Sequence, residues 1–369
     1  MRVLICGGGA IGAATAYYLA LRGVDAVVIE RAGVANAASG KSGGFLALDW
    51  CDGTPLEPLA RRSFALHEAL AEELGNPWGY RRLETLQVLA SAQRGFSGES
   101  GDWLSDDATV YGRLGTEETT AQVDPAAFTQ GLLAAAVERG ARLESGSVAE
   151  IMTSADGSRA TAVALEDGRC LEGDALVIAM GPWSILASRW LPLPAIYGLK
   201  GHSLVFDYRP PGPAQALFVE YESADGGQDT PEVFPRADGT TYICGLSSQT
   251  PLPLDPSAVQ ADPGAHERLR DAAARIAPAL GEATLLSAGA CYRPVAEDSL
   301  PLLGPIAGVE GAYVATGHNV WGMLNAPASG EAMAELITEG AARQVDLGPF
   351  DPDRLPALDP RSYEITEPA

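Results

Sequence analysis

The chain has 369 residues, is 46% hydrophobic and carries a formal net charge of −23. That length exceeds one simple core and favours a two-domain soluble enzyme, while a polyanionic surface argues against nucleic acid and anionic membrane as partners. Five scattered cysteines (Cys6, Cys51, Cys170, Cys244, Cys291) form no CxxC pair, so neither a disulfide framework nor a zinc site is suggested. No signal peptide and no apolar run of membrane-spanning length is visible, and a cytoplasmic location is expected.

The opening residues read as strand, turn, helix and strand: 3–6, then 10–22 with Ile11, Ala14, Tyr18 and Leu19 at helical spacing, a stop at Gly23, and 26–29. Gly7, Gly9 and Gly12 satisfy GxGxxG. In that context Gly7 permits the tight turn, Gly9 lets a pyrophosphate approach the backbone, and Gly12 lets helix and strand pack closely. Glu30 ends the second strand, where it accepts hydrogen bonds from ribose hydroxyls and repels a 2′-phosphate, so NADP is disfavoured. This unit leaves FAD and NAD as alternatives. The following small-residue loop, ending in Ser39, Gly40, Lys41, Ser42, Gly43 and Gly44, favours the longer cofactor, because its amides and hydroxyls can wrap a second part of it. Lys41, one of two lysines, either neutralises pyrophosphate charge or is a solvated loop cation.

Further along, His67 falls in a helical stretch and reads as structural, and 125–139 is a helix. Strands at 83–89, 199–206, 217–220, 232–234 and 241–244, broken by Pro and Gly turns, read as a separate sheet. The 90–109 loop is expected to be a mobile insertion or lid, and 250–264 a Pro-rich connection into a helix at 266–280. Residues 312–316 form another strand, and 317–325 a loop into a helix running towards 337.

GGGAIGAATAYYLALRG, the pair Glu30 and Arg31, and the SGKSGG loop resemble the FAD-dependent D-amino-acid oxidase, glycine oxidase and sarcosine oxidase superfamily. ALVIAMGPWS, GLKGHS, VFPRADGTTYICGL, CYRPVAEDSLPLLGP and YVATGHNVWGMLNAPASGEAMAELI follow in the order expected of that superfamily, over nearly the whole chain. SGKSGGFLALDWCDG with WGYRRLETLQVL looks like a poorly characterised branch of it. The resemblance implies an α/β (α+β overall) fold: a Rossmann-like FAD-binding domain of the glutathione-reductase type and a mainly antiparallel β-sheet substrate domain. The FAD-binding domain is expected at 1–80, 125–198 and 285–345, the substrate domain at 81–124 and 199–284, and a C-terminal tail at 346–369.

The same resemblance implies FAD contacts from Gly7, Gly9, Ala10, Ile11, Gly12, Glu30, Arg31, Ser39 to Gly44, Ala179, Gly181, Trp183, Arg293, Gly317, His318, Gly322, Met323 and Leu324. Val148, read as the end of a strand after the 125–139 helix, resembles the position whose backbone meets adenine. A helix start aimed at the flavin pyrimidine ring would stabilise negative charge there. Cys291 falls near the position where the sarcosine oxidase branch attaches FAD through sulfur; a packed residue beside non-covalent FAD is the expectation here.

The activity implied is oxidation of an amino acid or related amine, with hydride passing from the carbon next to nitrogen to flavin N5 and O2 reduced to H2O2. Arg293 matches the arginine that grips the substrate carboxylate, the alternative being a structural pair with Asp298. Glu232 departs from the pattern, standing where glycine and D-amino-acid oxidases carry a substrate-contacting tyrosine. It suits a second positive group or accepts a proton from the amine; a register one residue off turns it to solvent. His318 and Tyr242 complete the candidate catalytic set. CGLSSQ has Ser247 or Ser248 where the sarcosine oxidase branch has a lysine, and Lys200 is elsewhere in the fold. No metal site is expected. A dehydrogenase passing electrons to a quinone or protein, and a flavin-binding regulator with little turnover, are the alternatives.

Overall fold

The computed structural model describes residues 1–93 and 103–362, so the centre of the expected lid and the end of the tail lie outside the described residues. Arg2–Cys6 pairs in parallel with Asp25–Glu30 on one side and Ala175–Ile178 on the other. Arg142–Ser145 and Ala312–Thr316 extend this parallel sheet in each direction, and Leu302–Pro305 closes one edge antiparallel. Successive side chains of a strand face opposite ways. Val3, Ile5, Ala26 and Val28 therefore pack with the helices Ala10–Leu21, Pro125–Glu138 and Gly322–Glu339. Leu4, Cys6, Val27 and Ile29 pack on the opposite face against Ile151, Val163 and Leu165 of a small antiparallel sheet. Both faces are covered, which is why these strands read as unbroken apolar runs.

Gly322–Glu339 carries Pro327 in its interior. Proline has no N–H, so the Met323 carbonyl loses its helical donor. The helix Glu57–Glu73 repairs this from outside: His67 Nε2 lies 3.0 Å from the Met323 oxygen and 3.1 Å from that of Leu324, and donates there. One turn earlier, Ser63 Oγ accepts the Ala328 N–H at 3.0 Å. His67 is structural, as its helical context suggests, and its task is specific to that broken turn.

The second sheet runs Thr284–Ala296, Ile196–Asp207, Thr241–Ser248, Glu232–Pro235, Gln215–Glu222, Glu84–Ser91 and Ala108–Gly115, with Gln228–Asp229 beside Gln215–Glu222. It is antiparallel except between Gln215–Glu222 and Glu84–Ser91. Thr284–Ala296 pairs along its length with Ile196–Asp207 in the second sheet, whereas the boundary expected at 285 groups it with the FAD-binding segments. Leu204, Leu217, Val219, Val233 and Ile243 pack on Leu269, Ala273 and Ile276 of the helix Ala265–Ile276. That helix ends before Pro278 and a short Pro278–Glu282 turn follows, where the sequence reads one helix over 266–280. Among the described residues no helix is long and apolar enough to cross a membrane.

The Pro327 repair is testable by a double-mutant cycle in urea. His67→Ala removes both donated bonds and leaves a cavity, so it is expected to cost about 3 kcal/mol. In a Pro327→Ala background the restored N–H serves the Met323 carbonyl, and the cost of His67→Ala is expected to fall by about 1 kcal/mol. Equal costs in the two backgrounds contradict the repair.

Candidate functional site

A cavity of about 1180 Å³ lies where the two sheets meet. Ligand pockets for drug-sized molecules run to about 1,000 Å³, so this one has room for a long cofactor and a small second molecule. Strands Arg2–Cys6, Asp25–Glu30, Ala175–Ile178 and Ala312–Thr316 all point their C-terminal ends at it, and Gly7, Glu30, Ala179 and Thr316 line it. That is where open parallel sheets bind ligands.

Gly7 makes the turn at φ +117°, and a side chain on Gly12 would overlap the Gly7 carbonyl oxygen. The helix starts at Ala10, whose N–H donates to Ser39 Oγ at 2.9 Å. Glu30 braces the turn: its two carboxylate oxygens accept the N–H groups of Gly8 and Ala32, each at 2.7 Å. Each oxygen retains acceptor capacity for a ribose hydroxyl.

The loop 38–44 is held by the second sheet. Tyr242 donates its hydroxyl to the Lys41 carbonyl at 2.7 Å, Arg236 donates to the Ser42 carbonyl at 3.1 Å, and the Phe234 ring lies against Gly43. Tyr242 lines the cavity, but its hydroxyl is engaged by backbone, which corrects its place in the candidate catalytic set: it is a brace for this loop. Lys41 lines the cavity as well. Its Nζ reaches the Ala290 carbonyl of Thr284–Ala296 at 3.5 Å.

Of the other expected cofactor contacts, Gly9, Ala10, Ile11, Arg31, Ser39, Ser42, Gly43, Gly44, Val148, Gly181, Trp183, Arg293, His318, Gly322 and Met323 line the cavity. Gly12, Gly40, Gly317 and Leu324 do not. Gly12 backs onto Gly7, Gly40 onto Ala35 and Gly317 onto Pro301, and Leu324 is 1% exposed inside the helical layer. Val148 opens the strand Val148–Thr153 and does not end one, and the helix expected after Asn325 already begins at Gly322. No side chain caps that helix start, where Gly322 and Met323 face the cavity, so its N–H groups are available to an anionic group. Arg31 and Trp183 bind the carbonyls of Leu254 and Pro253, drawing the Pro-rich connection over the groove.

Three buried polar atoms on lining residues have no protein partner: Ser42 Oγ, His318 Nδ1 and Asn319 Oδ1. Buried polar groups are rarely left unpaired, so these orphans fit a polar ligand along this wall. The structure gives FAD a braced glycine turn, an acid at the ribose position, unpaired donors and acceptors, and a helix N-terminus.

Alternation on the second sheet turns Phe218, Glu232, Phe234, Tyr242 and Cys244 into the cavity, in the register that keeps Glu232 from solvent. Arg293 crosses Ile196–Asp207 over Gly201 and donates to Ser247 Oγ at 2.8 Å. Asp298 pairs with Arg354 at 2.7 Å and is not Arg293's partner. Among the described residues no carboxylate lies within ion-pair distance of Arg293. Burial pushes the Glu232 carboxyl above its ordinary range, against the opposing pull of Arg293 and the Cys244 thiol. Trp50, Phe45, Phe218 and Trp321 form an aromatic wall, with Trp50 and Phe218 4.8 Å apart. Sequence reading missed Trp50 and Phe218, whose meeting depends on strand register; Gly201 inside a strand was the available signal of a close approach.

Ser247 is aimed by a bulge between Lys200 and His202 in the pairing of Ile196–Asp207 with Thr241–Ser248. His202 Nε2 accepts the Asp262 N–H at 3.0 Å, so Nδ1 carries the proton and donates to the Leu246 carbonyl at 2.7 Å. Lys200 is paired with Asp262 at 2.7 Å and does not line the cavity.

His318 is 3% exposed, with Nε2 2.9 Å from Ser329 Oγ. Burial lowers its pKa to about 3, and that of His67 to about 4, from 6.5. The unfolded chain therefore takes up protons that the folded chain refuses. Stability is expected to hold above pH 6.5 and to fall by roughly 2 kcal/mol for each histidine by pH 5. Urea midpoints that stay level between pH 7.5 and 5 contradict this. Tyr242→Phe is expected to weaken FAD binding about tenfold in a fluorescence titration by freeing the Lys41 carbonyl. Unchanged affinity removes the brace.

A family model described as FAD dependent oxidoreductase matches residues 2–336. A Schizosaccharomyces pombe protein named as an oxidoreductase, without a substrate, is 28% identical over 95% of this chain and 97% of its own. The glycine oxidase of Geobacillus kaustophilus is 29% identical over 94% of this chain and 95% of its own. The structure of glycine oxidase from Bacillus cereus superposes with a TM-score of 0.77 at 24% identity, covering 92% of this chain and 98% of that one, which shows the shared fold. The chain belongs to the DAO family of FAD-dependent oxidoreductases.

Proposed function

We propose that this oxidoreductase acts on a small amino acid or related amine carrying a carboxylate, with O2 as electron acceptor. The observation that carries the reading is Arg293: a guanidinium with no carboxylate partner among the described residues, steadied by Ser247 and facing the cavity. A planar fork of donors in that setting suits a carboxylate held by two parallel bonds. Glycine oxidases among the relatives support the substrate class.

FAD, when bound, supplies a two-electron acceptor for a hydride from the carbon next to nitrogen. The protein's own part is placement. Arg293 fixes the carboxylate end, and the aromatic wall of Trp50, Phe218 and Trp321 excludes water from the carbon to be oxidised. The uncapped start of Gly322–Glu339 offers its positive end to negative charge in the cavity. Non-covalent attachment fits Cys291, whose thiol is pushed up by burial and held protonated.

The test is anaerobic mixing of the holoprotein with D- and L-amino acids and N-methyl amino acids, followed by admission of air. One class is expected to bleach the flavin band, with fast recovery in air. Arg293→Ala is expected to raise the half-saturating concentration at least 100-fold. Bleaching by carboxylate-bearing substrates that survives this change removes Arg293 from the reading. Slow recovery in air replaces oxygen with another acceptor, and no bleaching across the panel overturns the reading.

A further inference from the structure

Of the acids lining the cavity, Glu166 is exposed, and one of the others is left without a bonded neutralising partner among the described residues. Glu30 is engaged by two backbone N–H groups, Asp229 is paired with Arg268 at 2.8 Å, and Asp262 with Lys200 at 2.7 Å. Glu232 has only the Cys244 thiol, at 3.5 Å. A thiol is a weak donor, and Arg293 attracts this carboxylate without forming an ion pair with it.

The neighbours of Glu232 are aromatic. Phe218 stands directly opposite it on the adjacent strand, Cys244 on the other side, and the Phe218 ring is 4.8 Å from Trp50 and 5.2 Å from Phe45. A carboxylate beside ring faces is the chemistry that holds an alkylammonium, because charge and ring quadrupole together replace its hydration.

Chemistry separates the two kinds of nitrogen a substrate could offer. Arg293 donates to Ser247 and Glu232 meets Cys244, three positions away on one strand, so the two charges mark separate points of the cavity. The nitrogen beside the carbon that gives up hydride has to be neutral, and an adjacent carboxylate favours its protonated form. The cation at Glu232 is therefore a further one along the molecule.

We propose that Glu232 is the recognition point for a second, non-reacting cationic nitrogen, and that the preferred substrates are amino acids with a basic side chain. The inference rests on Arg293 holding the carboxylate. It places glycine and other neutral amino acids among the poor substrates of this chain.

The experiment compares the flavin reduction rate constant over Kd for lysine and ornithine with that for norleucine and norvaline, both enantiomers of each, in wild-type holoprotein and in Glu232→Gln. The basic amino acids are expected to be preferred at least 100-fold in the wild type, and the ratio is expected to collapse towards one in the variant. A second readout needs no turnover: 4-(trimethylammonio)butanoate has no nitrogen lone pair and is not oxidised. Followed by perturbation of the oxidised flavin spectrum, it is expected to bind at least 30-fold tighter than neutral 5,5-dimethylhexanoate, and Glu232→Gln is expected to erase the difference. A wild-type preference for neutral substrates, equal binding of the two ligands, or a preference ratio that survives Glu232→Gln overturns the proposal and leaves Arg293's role standing. If no amino acid bleaches the flavin and neither ligand perturbs it, the underlying reading fails too.

Discussion

Phe234 lies against Gly43, where any side chain would collide with its ring, and this contact sets how the second sheet sits over the glycine turn. Tyr242 and Arg236 then bind the carbonyls of Lys41 and Ser42. The cofactor loop is thus shaped by residues from two strands of the other sheet. The wall that carries Glu232 and Cys244 is placed by the same strands that brace the loop, so cofactor and substrate surfaces form as one unit. Positional precision of this kind is what hydride transfer requires, because a misplacement of about 1 Å costs roughly 100-fold in rate.

Charge in the cavity follows a consistent pattern. Groups that hold structure are satisfied within the protein: Glu30 by backbone, Asp262 by Lys200, and the broken turn at Pro327 by His67 and Ser63. Several groups facing the cavity are left incomplete. Arg293 and Glu232 form no ion pair among the described residues, and Ser42, His318 and Asn319 each keep a buried polar atom unpaired. Buried polar atoms are rarely left unpaired in native interiors, so these three on the cavity wall fit a polar ligand there.

Much of this was legible in the sequence where local geometry dictates it. The turn Gly7 to Gly12 with Glu30 at the next strand end is a local constraint on four or five residues, and its elements lie where periodicity put them. What local pattern does not carry is pairing. Tyr242 reads as a pocket hydroxyl until its partner across 201 residues of chain, the Lys41 carbonyl, is known. Lys41 points towards Ala290 for the same reason, and Trp50 and Phe218 meet only through strand register. Thr284–Ala296 falls after the expected domain boundary at 285 yet pairs with Ile196–Asp207, because an edge strand carries no mark of its neighbour. His67 was readable as structural, while its link to Pro327 needed two helices to be packed.

The central claim is that one crevice holds FAD and presents Arg293 to a carboxylate beside it. The most direct measurement is a titration of the oxidised holoprotein with propanoate, followed by the flavin difference spectrum, in the wild type and in Arg293→Met. The account predicts a saturable perturbation in the wild type that is lost in the variant while FAD remains bound. An unperturbed flavin, or the same perturbation at the same concentrations in both proteins, contradicts it.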